Sequence, residues 1–411
     1  MSLVSRRAGG GWVRRAGRRG SIIGRACAPA EIGVNMAVQG NTAGNVQAFG
    51  QLLGRLLLVA IFVHEGVTLI GDSIENPANA IVMKAAGAMF GAECRFRDTK
   101  GLNRAAAGAQ GGESFMTIEP DQIRALHHRS VAFDNLPGAA ELYGYKVGPD
   151  FSVMVGNERR GLSYECAKLA SDKVQVPMFS RRINCLNVAA ASAVALYYLR
   201  GTRVGPMAVR GEPNNRRPEV LLLDAGEHVE LGSAIRSTAA FGWGRVFIED
   251  RQQVWFGCER AVRAEGRAAA RRGKNEILCI PCATGAAHGF ARVTIITTRA
   301  LGAPVHRVNL ARSPSQLVVI PDEKNLDQSA ETWSRLGKEV EFAHLQIPAT
   351  EFQYHYRLTA TIALAEISRQ VGRRPAGKVP PTGRPPFYDH RLARLAEVAG
   401  QIVSLEDLAD Y

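Results

Sequence analysis

The residues best placed to do chemistry fall in three short stretches and on one helix. Gly156-Asn157-Glu158, with Gly161 beyond, follows an apolar run that ends at Val155; Val176-Pro177-Met178 and Cys185-Leu186-Asn187-Val188 come next. Glycine lets backbone N–H and C=O groups approach a ligand closely, because it has no Cβ to hold them off. Glu158 and Asn187 are residue types that cap turns and helix starts, and their side-chain oxygens can orient neighbouring donors. Arg236 offers a fixed cation; a guanidinium keeps its protons, so it can stabilise negative charge but cannot serve as a base. Arg159-Arg160 and Arg181-Arg182 are basic edges able to touch phosphate. Phe352, Tyr354 and Tyr356 could stack a base, although packing is the commoner use of such a cluster. His127-His128 and His355 read as surface or interface residues. Cys279 and Cys282 form a CxxC, yet no second ligand pair lies at zinc spacing. "EILCIPC" reads as a strand entering a turn, not as the helix start a redox pair prefers.

The elements that must position these residues repeat. "DSIENPANAIVMKAAGAMFGAE" from Asp72 and "DAGEHVELGSAIRSTAAFGW" from Asp224 are both an acidic turn, then a small-residue helix ending in Phe-Gly, 151 residues apart when Gly91 is set on Gly242. "FSVMVGNERRGLS" has an echo in "SQLVVIPDEKNLD" at an offset of 165, and "VQVP" has one in "LQIP" at 171. Matches in one order with slowly growing offsets indicate a duplication. Apolar runs such as "FSVMV", "EVLLL", "RVFIE", "RVTIIT" and "QLVVI" alternate with alanine-rich helical segments. That alternation predicts α/β structure with a parallel sheet in each half. The expected divisions are a basic, disordered extension over 1–50, a first domain over 56–204, a linker over 205–217 in "RVGPMAVRGEPNNRRP", a second domain over 218–372 and a tail over 373–411 with one terminal helix.

Composition narrows the partners. A formal charge of +13 suggests an acidic one, and nucleic acid is the commonest. Seven arginines against one acid in the first 36 residues supply +6 of it. That segment fits an RNA-binding arm, an organelle transit peptide, or translated upstream sequence before a start at Met36. Seven scattered cysteines argue for a reducing, cytoplasmic setting and against a disulfide framework. The longest apolar run, Leu56 to Val63, is far shorter than a membrane span.

Gly156, Asn157, Glu158 and Gly161, followed by Val176-Pro177-Met178 and Cys185-Leu186-Asn187-Val188 with its alanine-rich helix, resemble the second and third motifs of the SpoU/TrmH branch of the SPOUT superfamily. Asn79 and the Phe90-Gly91 ending resemble the first motif. Cysteine stands at 185 where the family usually has serine. The resemblance covers about Gly66 to Gln370. It implies two tandem parallel-sheet SPOUT-like domains, the first with a C-terminal trefoil knot and the second a degenerate copy. It further implies S-adenosylmethionine as cofactor, bound by Val155, Gly156, Asn157, Val176, Pro177, Met178, Cys185 and Leu186. Members of the family work as dimers with RNA across the interface, so a tandem pair would form that dimer within one chain.

The implied activity is 2′-O-ribose methylation of tRNA or rRNA. The sulfonium donor is already activated and no metal is needed; the difficulty is the developing charge on a poor hydroxyl nucleophile. The first half keeps Asn79 but has Ala85 in the arginine slot, with Lys84 turned about 100° away on the helix. The second half keeps Arg236 but has Glu230 in the asparagine slot, Pro321-Asp322-Glu323 for the glycine loop and "YHYR" (Tyr354 to Arg357) for the third motif. Complementary decay suggests one composite site, with Arg236 as catalytic cation and Glu158 and Asn187 in support. Arg159, Arg160, Arg181 and Arg182 are the expected RNA contacts. The competing reading is a catalytically inactive RNA-binding or ribosome-assembly factor. A nicotinamide-binding oxidoreductase is weak, since "GAQGGE" follows no convincing strand.

Overall fold

The computed structural model describes residues 66–108, 112–126, 129–178, 186–202, 204–207, 217–257, 276–282, 289–311, 315–326, 339–372 and 402–404. The chain divides into compact units of 1–58 and 59–411, and the first lies outside the described residues, as do the expected basic extension, Arg181, Arg182, Cys185 and His127-His128.

The first sheet contains β1 (Val67–Asp72), β2 (Ala92–Arg97), β3 (Ser130–Phe133), β4 (Ala140–Glu141), β5 (Phe151–Val155) and β6 (Asp172–Gln175). All pairings are parallel, in the order β2-β1-β5-β3-β6-β4. Both β1 and β5 are buried along their whole length, which is why "VTLIGD" and "FSVMV" run apolar without alternation. Late strands enter between earlier ones: β5 sits between β1 and β3, and β6 between β3 and β4.

The second sheet holds β7 (Glu219–Leu223), β8 (Arg245–Glu249), β9 (Glu276–Pro281), β10 (Arg292–Thr297), β11 (Ala303–Pro304), β12 (Gln316–Pro321), β13 (Glu339–His344) and β14 (Ile402–Ser404). Its order is β11-β13-β10-β12-β7-β8-β9-β14. Read from β8 to β11, this repeats the first sheet strand for strand, with β9 and β14 added beyond β8. The turn after the leading strand repeats too: Ser73 and Asp224, 151 residues apart, both have positive φ, 58° and 52°. Of the expected tail only 402–404 are described, where β14 pairs antiparallel with β9 at the sheet edge; the expected terminal helix lies outside the described residues.

Helices α1 (Pro77–Met89), α2 (Leu102–Ala107), α3 (Pro120–Leu126), α4 (Tyr164–Leu169) and α5 (Val188–Leu196) accompany the first sheet, and α6 (His228–Ala240) and α7 (Tyr356–Val371) the second. α1 starts where Asn76 accepts from the Ala78 N–H at 2.9 Å with proline at the first helical position, and stops at Gly91, whose φ is +60°. α5 is apolar nearly all round because it is wedged between α1 and α7, and α7 in turn packs on α6. One core cluster therefore runs through both halves. Buried polar groups fix that joint. Tyr143 donates to the Ala365 carbonyl at 3.1 Å, and Tyr198 donates to Glu366 at 2.8 Å. Arg369 grips the same fully buried carboxylate at 2.6 and 2.9 Å. Among the described residues no helix is long and apolar enough to cross a membrane.

Candidate active site

At the C-terminal ends of β1, β3 and β5 the chain builds a clamped hairpin. Asn157 and Gly161 exchange backbone hydrogen bonds at 3.0 and 2.9 Å. Gly156 faces that closure so tightly that a Cβ there would lie 2.0 Å from the Gly161 carbonyl carbon and the Leu162 nitrogen. Gly161 has φ +71°, and a Cβ on it would meet Asp134. Asn157 donates to the Ser73 carbonyl at 2.7 Å and accepts from the Arg159 and Arg160 N–H groups. Asp134, past the end of β3, accepts from the Leu162 N–H at 2.7 Å, and Asp72, at the end of β1, accepts from the Ser163 N–H at 2.7 Å. Burial alone would raise the Asp72 carboxyl, but hydrogen bonds from Ser163, Ser73 and Arg97 hold it below the ordinary aspartate range. Arg97, which also pairs with Glu165, is held the more firmly protonated by the same contact.

A relay of side chains then joins all three motifs. Asn187 caps α5, accepting from Ala189 and Ala190 N–H groups at 3.0 and 3.4 Å, and donates to Asn79 at 3.1 Å. Asn79, on α1, donates to Glu158 at 3.0 Å. Glu158 also accepts from the Glu75 and Asn76 N–H groups at 3.3 and 3.4 Å. Glu158 thus acts as an anchor for the start of α1, and Asn187 is both helix cap and link. Val155, Val176, Pro177 and Leu186 are buried beside this relay's loops, while Gly156 and Met178 are partly exposed. Arg159 and Arg160 stand exposed at the hairpin tip.

The same positions in the second half are rebuilt. His355 precedes α7 as Asn187 precedes α5, so within "YHYR" it is His355 that stands in the place of Asn187, although its side chain makes no cap bond. Glu230, in the position of Asn79, accepts from His355 at 3.1 Å, from the Arg357 guanidinium at 2.8 and 2.9 Å, and from the Arg357 N–H at 2.8 Å. Burial opposes ionisation of Glu230, but the bonds from His355 and Arg357 prevail and bring it down to about 2. Glu323, in the place of Glu158, no longer meets residue 230; it accepts from Thr297 and the Thr298 N–H. Tyr354 packs its hydroxyl against this loop, accepting from the Glu323 N–H at 3.2 Å. A cleft of about 160 Å³ remains, lined by Gly226, Glu227, Glu230, Asp322, His355 and Tyr356 among others. Arg236 lies on α6 and is 9% exposed, so it does not project into solvent. No signal in the sequence marks the roles of Asp72, Arg97, Asp134 or Arg357, and His355, expected at a surface or interface, is largely covered and meets Glu230. Applying the repeat to the helix cap would have found His355.

Residues 66–197 match the model of the SpoU rRNA Methylase family. No curated sequence matches the chain. Among solved structures the chain is similar to the SpoU methyltransferase AviRb from Streptomyces viridochromogenes in complex with AdoMet, at 19% identity and TM-score 0.27, over 33% of this chain and 57% of that one. It is also similar to a putative RNA methyltransferase of the TrmH family from Porphyromonas gingivalis, at 21% identity and TM-score 0.27, over 33% and 59%. A third is the A. aeolicus TrmH/SpoU tRNA modifying enzyme, at 20% identity and TM-score 0.28, over 33% and 73%. The match spans a little over half the length of the first two.

Proposed function

We propose that this chain, whose residues 66–197 match the SpoU rRNA Methylase family model, is an S-adenosylmethionine-dependent RNA 2′-O-ribose methyltransferase acting on tRNA or rRNA. In this reading its two halves form a fused pseudo-dimer, monomeric as a chain, with one composite site. The cofactor site is the first lobe's: Val155, Gly156, Asn157, Val176, Pro177, Met178, Cys185 and Leu186 hold it, the last five on the knotted part that the family resemblance implies. The donor set fits. Loops at the C-terminal ends of parallel strands, with apolar Val176 and Leu186 and a glycine hairpin that cannot carry a side chain, suit an adenosine held by backbone groups. When bound, the sulfonium supplies an activated methyl group.

The chain's own part is electrostatic. A ribose hydroxyl would become a nucleophile for that methyl group as it gives up its proton, and negative charge would build up on its oxygen. The Arg236 guanidinium lowers the energy of that oxygen while its proton passes to water or an RNA phosphate. Glu158, Asn79 and Asn187 act by position: they fix the hairpin, α1 and the start of α5 to one another. The observation that carries the reading is complementary: an intact, clamped motif relay in the first lobe, and a buried arginine on α6 of a second lobe whose relay has been rebuilt. The matching helices α5 and α7 pack on each other, which supports a two-fold relation between the lobes.

Arg236→Ala should abolish RNA methylation while leaving S-adenosylmethionine affinity within about twofold, read by methyl incorporation and calorimetry. Full methylation by that variant would end the composite-site reading. The alternative, an inactive RNA-binding or ribosome-assembly factor, draws on Ala85 and Cys185; a parent chain that binds RNA but no S-adenosylmethionine would favour it.

A further inference from the structure

One aromatic ring near the hairpin has no structural duty. Tyr164 is 73% exposed, one of three large apolar side chains so exposed among the described residues. It opens α4, a short helix that buries only Cys166 into the core cluster beneath it. Its backbone is not loose. Ser163, the residue before it, caps α4 by accepting from the Cys166 N–H at 3.2 Å and is itself tied to Asp72 and Arg97. Arg159 and Arg160, at the hairpin tip, stand five and four residues before Tyr164 in the chain. Lys168, one turn on, sets its ammonium 4.7 Å from the ring centroid, an i,i+4 cation–π pair that orients the ring and covers one side of it.

The two carboxylates nearest in sequence are both engaged: Glu158 is held by Asn79 and two backbone N–H groups, and Glu165, itself exposed, is neutralised by Arg97. Arg159, Arg160 and Lys168 are exposed, and no carboxylate among the described residues pairs with them. A solvent-facing ring with one cation against it and two more exposed a few residues away suits a base that stacks while its flanking phosphates are neutralised.

Resting on the RNA-methylation reading above, we propose that Tyr164 is a stacking platform for an unpaired nucleobase of the RNA substrate, with Arg159, Arg160 and Lys168 gripping the adjoining phosphates. An acidic protein surface would use the cations but has no need of the open ring face, so the nucleotide is the better occupant.

The test uses the full chain, a fluorescent unstructured ribonucleotide of about 12 nucleotides, and an RNA duplex of equal length. Tyr164→Ala should weaken single-strand binding about 5- to 100-fold at fixed salt. Tyr164→Phe and Tyr164→Trp should stay within about threefold, and duplex binding should barely change. The salt dependence of Tyr164→Ala should match the parent, whereas Arg159→Ala and Arg160→Ala should each reduce its slope by about 0.7. Parental single-strand affinity in Tyr164→Ala, or an equal loss for single strand and duplex, overturns the platform. Calorimetry with S-adenosylmethionine on the same preparations separates the failures. A parent that binds neither ligand defeats the functional reading, while a parent that binds both and a Tyr164→Ala that equals it defeats this assignment alone.

Discussion

Asn79 is the joint of the first-lobe relay, so two substitutions there should fail in different ways. It is buried, donates to Glu158 at 3.0 Å and accepts from Asn187 at 3.1 Å. Asn79→Leu keeps the volume and deletes both bonds. Each is worth about 1 kcal/mol net, and polar atoms left without that partner add about 1–2 kcal/mol more. A loss of about 2–4 kcal/mol corresponds, for a unit of this size, to a fall of roughly 3–6 °C in melting temperature, the same at pH 5 and pH 8. Asn79→Asp instead keeps the bond from Asn187 but puts a second carboxylate at the 3.0 Å contact with Glu158. At an effective dielectric of about 20–40 that repulsion is roughly 3–5 kcal/mol, so the pair keeps one proton in the folded protein. The sign follows from linkage. A proton held more tightly in the folded state than in the unfolded one stabilises at low pH, and that advantage is lost as pH rises. Asn79→Asp should therefore melt close to the parent near pH 4 and fall behind progressively toward pH 8, read by circular dichroism melts across that range. Both variants should weaken S-adenosylmethionine binding about tenfold or more by calorimetry, because the Gly156 hairpin loses its brace. A pH-independent deficit in Asn79→Asp, or an Asn79→Leu that melts within 1 °C of the parent, would refute the relay.

Two further outcomes follow from the same geometry. Glu230 is depressed to about 2 from an ordinary value of 4.5, so its contribution is present above about pH 5 and is lost as pH falls toward 2. Glu230→Gln should remove about 3 kcal/mol at neutral pH and flatten the acid limb of the stability curve, measured by denaturant titration from pH 2 to 7. Gly156→Ala would drive a methyl onto the Gly161 and Leu162 backbone, which cannot yield like a side chain. The expected cost is about 3 kcal/mol or more, with loss of S-adenosylmethionine binding in calorimetry while far-ultraviolet circular dichroism is retained.

Much of the molecule was determined locally and could be read from residue order. Mainly apolar five- and six-residue runs became buried parallel strands, because a sheet covered on both faces needs no polar alternation. Asn76, Ser163 and Asn187 precede helices and cap them, since a cap bond reaches only two or three residues along the chain. The repeat was legible for the same reason: each copy preserves its own turns and helix stops. Tertiary structure alone decided which partners those residues took. Asn79 meets Glu158 and Asn187 across 79 and 108 residues, and Glu230 meets Arg357 across 127. Pattern marks Glu230 as an asparagine lost; packing beside His355 and Arg357 turns it into a buried ion cluster. The tail's described strand, β14, arises from an open edge at β9 that no local signal in the tail could reveal. Spacing specifies the local conformation, whereas a hydrogen bond between distant loops exists only once the sheets have brought their ends together.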